Sequence, residues 1–174
     1  MAEPWTILPT DEAPATDERT TLVAFLEYQR AVLARKAEGL SDDQARIAAC
    51  PPSDLTMLGL VRHMAEVERI WSQRSFMGSD IGPIYCGPVH PDGDEDGDFH
   101  PPPDANLADA LATYWTEIEV ADGIYDGASL DVIERRDRAT YSLRWILVHL
   151  IEEYARHCGH ADLIRQAIDN STGD

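Results

Sequence analysis

Apolar residues recur every three to four positions along four stretches of this 174-residue chain, and that period dictates helices packed by their apolar faces. From Asp17, placed to cap, Leu22, Phe25, Leu26, Val32 and Leu33 mark a first helix that Gly39 stops. Ser41 stands three residues before Gln44, the capping-box form, and opens a short helix closed by Pro51 and Pro52. Ser53 or Asp54 is expected to cap a second long helix striped by Leu60, His63, Met64, Val67, Ile70 and Trp71, ending at Gly78. The third begins near Asp104 or Asn106, carries Leu107, Ala110, Leu111, Tyr114, Trp115 and Ile118, and ends before Gly123 or Gly127. The fourth begins near Thr140 or Ser142 and runs through Trp145, Val148, Leu150, Ile151, Leu163 and Ile164 to about Ile168. Period-two alternation is nearly absent, with residues 130–133 the nearest approach. The pattern predicts an all-α four-helix bundle over residues 17–170, preceded by an extended arm over residues 1–16 with Pro4, Pro9 and Pro14.

Charge narrows the function. Asp and Glu number 32 against 14 Lys and Arg, a net −18 that repels nucleic acid and anionic membrane surfaces. No apolar run reaches the roughly 18 residues of a membrane span, and the start lacks a secretion signal, so a cytoplasmic protein is expected. Three scattered cysteines, Cys50, Cys86 and Cys158, form neither a disulfide framework nor a CxxC clamp. Dinucleotide, Walker and serine-hydrolase motifs are missing from the sequence.

Residues 78–104 break the pattern with five Gly, six Pro and a knot of acids, and read as an irregular acidic loop between helices two and three. Asp92, Asp94, Asp96 and Gly97 match the first half of a calcium loop. The match fails at Pro103, where a bidentate Glu belongs, so a solvated acidic lid is expected. His90 and His100 flank it and reach a metal only if the loop folds over the bundle.

The chemistry gathers on helix four. At about 100° per residue, Ile146, Leu150, Glu153, His157, His160, Ile164 and Ile168 share one arc. Glu153 and His157 lie one turn apart, close enough to hold one ion, and His63 interrupts the buried stripe of helix two. Two ligands on one helix and a third on its neighbour make a facial set with open positions, suited to zinc, nickel, iron or copper. The plainer reading is a surface ion pair and a hydrogen-bonded histidine. Polar groups interrupting two apolar stripes favour the metal, because burial demands mutual compensation. Cys158 points away from His157 on the helix and reads as packing, Cys86 has no basic neighbour, and Trp71, Trp115 and Trp145 read as core.

The stretch from Thr56 through His63 to Trp71, with Ser142 to Leu163 containing Glu153-Tyr-Ala-Arg-His157-Cys-Gly-His160, resembles the DinB superfamily, near its actinobacterial mini-circle-protein branch. The likeness runs from about Thr20 to Ile168. It implies an antiparallel four-helix bundle of the DinB/YfiT-like kind, binding one divalent metal through a helix-two histidine and an H-x-x-x-H pair on helix four. Carried over, the ligands are His63, Glu153 and His157, with Glu153 departing from the three-histidine form as it does in the similar mycothiol-dependent maleylpyruvate isomerase. His149 and His160 fall outside the ligand positions, as groups that orient a ligand or shuttle a proton. The resemblance implies a metal-dependent enzyme, with zinc first and nickel or iron as alternatives. Its reaction is transfer or isomerisation through a low-molecular-weight thiol such as mycothiol, acting on a small-molecule substrate. A metal-dependent hydrolase and a non-catalytic small-molecule or stress-response binding protein are the alternatives, and a homodimer is expected.

Overall fold

The structure, a computed structural model, describes residues 17–132 and 141–172. The arm expected over residues 1–16 and the end of the strand-like stretch at Ile133 lie outside them. Among the described residues there are five α-helices and no strand: α1 (Glu18–Ala37), α2 (Asp42–Ala45), α3 (Met57–Arg69), α4 (Leu107–Tyr125) and α5 (Leu143–Asp169). The all-α expectation holds. None of these helices is long and apolar enough to cross a membrane.

Local chemistry sets the helix starts. Asp17 accepts from the Thr20 amide, Ser41 and Gln44 form both bonds of the capping box, and Asn106 and Ser142 cap α4 and α5. The cap of α3 is Thr56, whose hydroxyl accepts from the Gly59 amide, and neither Ser53 nor Asp54. Thr56 directly precedes Met57 and Leu58, both fully buried, so the first turn forms where the core begins. At its other end α3 continues into a π-helical turn, Ile70–Phe76, with the Met77 amide donating to the Ser72 carbonyl five residues back (3.0 Å). The Ser72 hydroxyl donates to the Glu68 carbonyl (2.6 Å), competing for an acceptor of the regular ladder where the helix widens. Helix α4 passes through Gly123 to Tyr125 because burial of Tyr125 holds the last turn, and the chain turns only at Gly127 (φ +69°).

Helix α1 packs chiefly on α5 and α3 chiefly on α4, with α3 also touching α5. Leu33, Leu60, Met64, Tyr114, Leu150 and Tyr154 fill the core between them. Some residues assigned to apolar stripes lie outside it. Phe25, Trp115, Val148 and Leu163 are exposed, as is Trp145 at 43%; a helix stripe is wide, and its edges reach solvent. Trp145 stacks instead on Tyr141 (centroids 4.1 Å), and partly buried Trp71 meets both rings.

A buried ion network crosses the core. The Arg30 guanidinium (2% exposed) donates through Nε and Nη2 to both oxygens of Glu68 (0% exposed), each at 2.7 Å, and through Nη1 to Asp122. The Tyr154 hydroxyl donates to Glu68 Oε1 (2.7 Å) and that of Tyr114 to the Arg30 carbonyl (2.9 Å). Charges this deep persist only when paired and hydrogen-bonded, so α1, α3, α4 and α5 must meet in one register.

Candidate metal centre

Helix α5 displays Glu153 and His157 one turn apart, with His157 Nε2 3.6 Å from Glu153 Oε2. Helix α3 brings His63 against them, its ring centroid 4.7 Å from that of His157. One donor atom from each of His63, Glu153 and His157 lies within 4.8 Å of the others. The 3.6 Å separation is too long for a hydrogen bond, yet near the roughly 3.4 Å that separates two ligands bound about 2.1 Å from one tetrahedral cation. Two imidazoles and a carboxylate at this spacing fit a divalent metal.

Electrostatics suits the same role. Burial, reinforced by the neighbouring His63 and His160 rings, pushes the His157 imidazole down to about 4, leaving it neutral and able to donate a lone pair at neutral pH. His63 Nδ1 donates to Asp98 Oδ2 at 2.8 Å, and its ring stacks on Phe99 at 4.2 Å. Nδ1 being engaged, Nε2 is the nitrogen left for a cation. Burial would raise the Asp98 carboxyl, but the His63 bond and charge outweigh it and hold the group below its ordinary value.

Asp98 belongs to the loop read from sequence as a solvated acidic lid, and that reading is corrected here. Asp92, Glu95 and Asp96 are exposed, but Gly97 and Asp98 are buried against α3. The helix grips the loop with two side chains flanking His63, the adjacent Arg62 and, about one turn on, Glu66. Arg62 donates to the Gly97 carbonyl (2.9 Å) and the Asp98 carbonyl (3.2 Å) and lies over the Tyr85 ring, while Glu66 Oε2 accepts from the Ile84 and Tyr85 amides. Gly59 permits the approach: a Cβ there would sit 2.9 Å from the Phe99 carbonyl oxygen. The acids of the calcium-like half-motif do not converge on a ligand set among the described residues; Asp94 accepts from His100 Nδ1 and the Asp96 amide.

The remaining candidates are placed clearly. His90 Nδ1 accepts from the Asp92 amide and its Nε2 donates to the His100 carbonyl, so both nitrogens serve the lid. His149 Nε2 lies 3.5 Å from Glu153 Oε1, its ring stacked on Trp145 with Trp71 at its edge; with Glu152 and Glu153 it makes a second group of three donors. His160 Nδ1 is 3.4 Å from His157 Nδ1. Buried Cys158 contacts the Gln29 carbonyl, and burial pushes its thiol, like that of Cys86, up to about 12. A cleft of about 420 Å³ opens between α3 and the lid, with His63, Val67, Ile70, Arg74 and Cys86 in its wall. A larger one, about 500 Å³, lies near Arg19, Glu27 and Tyr125 and contains none of the three donors.

Residues 21–170 match the family model for mycothiol S-transferase, a span that takes in both donor helices and the lid. The chain belongs to the mycothiol S-transferase family. That family lies within the DinB/YfiT-like superfamily, so the resemblance read from the two histidine-bearing stretches holds. No curated protein matches the chain. Within this family member, Asp98 is the residue that sequence reasoning missed. Its one signal was a position just before Phe99 and His100 in an acidic run, which does not reveal that the loop returns to α3.

Proposed function

We propose that the protein is a metal-dependent mycothiol S-transferase in which His63, Glu153 and His157 hold one zinc ion. The observation that carries this reading is the convergence of three donors from two helices within 4.8 Å, in a chain of this family. A divalent cation bound there would supply the positive charge that keeps a thiol deprotonated at neutral pH. Glu153 contributes one negative charge to the set, while His157 and His63 bind as neutral imidazoles. Phe99 stacks over one face of the His63 ring. The cleft beside His63 gives room for the bulk of a substrate. In the transfer, the thiol would give its proton to solvent and its sulfur would bond to an electrophilic carbon of the second substrate; the electron pair of the bond broken at that carbon would leave with the departing group or, in an addition, move to the neighbouring atom, which then takes a proton.

The test is elemental analysis with a conjugation assay, using mycothiol and 1-chloro-2,4-dinitrobenzene. One equivalent of zinc, lost in His157→Ala with helicity retained, together with zinc-dependent release of chloride, is the expected result. Zinc bound equally by His157→Ala, or no zinc after reconstitution, overturns the ligand assignment; stoichiometric zinc with no thiol consumed favours a hydrolase or a binding protein.

A further inference from the structure

One lid side chain reaches the candidate centre without being a candidate ligand. Asp98 is 5% exposed, receives the His63 Nδ1 proton at 2.8 Å and has the Cys86 thiol against it. Its backbone carbonyl and that of Gly97 are held by Arg62, the residue preceding His63, and Phe99 stacks on the His63 ring. The lid thus docks on α3 through the same imidazole that α3 offers to a cation.

We infer that Asp98 is a positioning residue for the cation, and that lid docking and cation binding form a single linked equilibrium. The inference rests on the reading of His63 as a ligand. An imidazole has two nitrogens, and an undocked ring is free to carry its proton on either and to rotate. A carboxylate on Nδ1 fixes the proton there, orients the ring and makes Nε2 a better donor. Removing such a partner weakens metal affinity by about 10- to 100-fold. Linkage is reciprocal: whatever factor the docked lid adds to cation affinity, the bound cation adds to lid docking.

The experiment measures zinc dissociation constants by chelator competition and lid cleavage by limited proteolysis with and without zinc, in the full chain and in Asp98→Asn, Asp98→Ala and His63→Ala. The expected result is a zinc Kd raised about 10- to 100-fold in Asp98→Asn and at least as much in Asp98→Ala. Zinc should protect the wild-type lid from cleavage and protect the Asp98 variants less by a matching factor. Nitrogen-15 NMR of the metal-free protein should show His63 protonated on Nδ1, and a mixture of tautomers in Asp98→Ala. If Asp98 only stiffens the loop, its variants will be cleaved faster to the same extent with and without zinc, at wild-type zinc Kd, and the inference is overturned. If His63→Ala itself binds zinc like wild type, the ligand reading fails and takes this inference with it. If His63→Ala loses zinc while both Asp98 variants retain it fully, the inference alone fails.

Discussion

Replacing Glu68 by Leu tests whether the buried network is held together by mutual compensation. Glu68 is inaccessible to solvent and takes three short hydrogen bonds, two from Arg30 and one from Tyr154. Leu is close in volume, so the perturbation is electrostatic: the Arg30 guanidinium keeps only Asp122, whose side chain is half exposed, and the Tyr154 hydroxyl loses its carboxylate acceptor and keeps only the Tyr114 hydroxyl. Removing one partner of a buried pair costs about 3–5 kcal/mol, and the surviving Asp122 contact places Glu68→Leu near the lower end. For a chain of this length, about 3 kcal/mol corresponds to a melting temperature roughly 6–12 °C lower. The double variant Arg30→Met/Glu68→Leu removes both charges and should recover most of that loss, leaving about 1 kcal/mol for the hydrogen bond that Tyr154 gave to Glu68. Urea titrations followed by helical circular dichroism, run as a double-mutant cycle, give the coupling energy, expected at about 2 kcal/mol or more. A melting temperature within about 2 °C of wild type for Glu68→Leu, or singles that simply add in the double, would mean that the buried charges do not compensate each other.

In the metal-free fold His157 resists protonation down to about 4, whereas the unfolded chain takes that proton near the ordinary histidine value of 6.5. Because the folded value is depressed, this contribution vanishes above pH 6.5 and destabilises progressively as pH falls toward 4, by up to about 2 kcal/mol after allowing for solvent at the ring edge. His157→Phe should flatten that part of the pH dependence of urea stability, and a ring titrating near 6.5 by NMR would contradict it. Gly59→Ala should cost about 1–3 kcal/mol and weaken zinc binding, since its Cβ would meet the Phe99 carbonyl at 2.9 Å and lift the lid from His63. Gly123→Ala, in a helix with nothing within 4 Å, should instead stabilise by about 0.5–1 kcal/mol; equal behaviour of the two in thermal melts would rule out the steric account.

The helices and most of their starts were legible in the amino-acid order. Periodicity and capping are local, set by residues within one or two turns, and Asp17, Ser41, Asn106 and Ser142 cap as their neighbours dictate. The pairing of Glu153 with His157 was legible for the same reason, being one helical turn on an otherwise apolar arc. His63 was joined to that pair in the sequence through family resemblance and not through periodicity; packing brings the three together, takes Trp145 out of the core into an aromatic stack, and turns the acidic loop back to deliver Asp98. The tertiary structure alone joined Arg30 to Glu68, 38 residues away, and His63 to Asp98, 35 away. Such contacts depend on where whole helices and a loop without periodicity come to rest, and a buried charge finds its partner only once packing has excluded water from both.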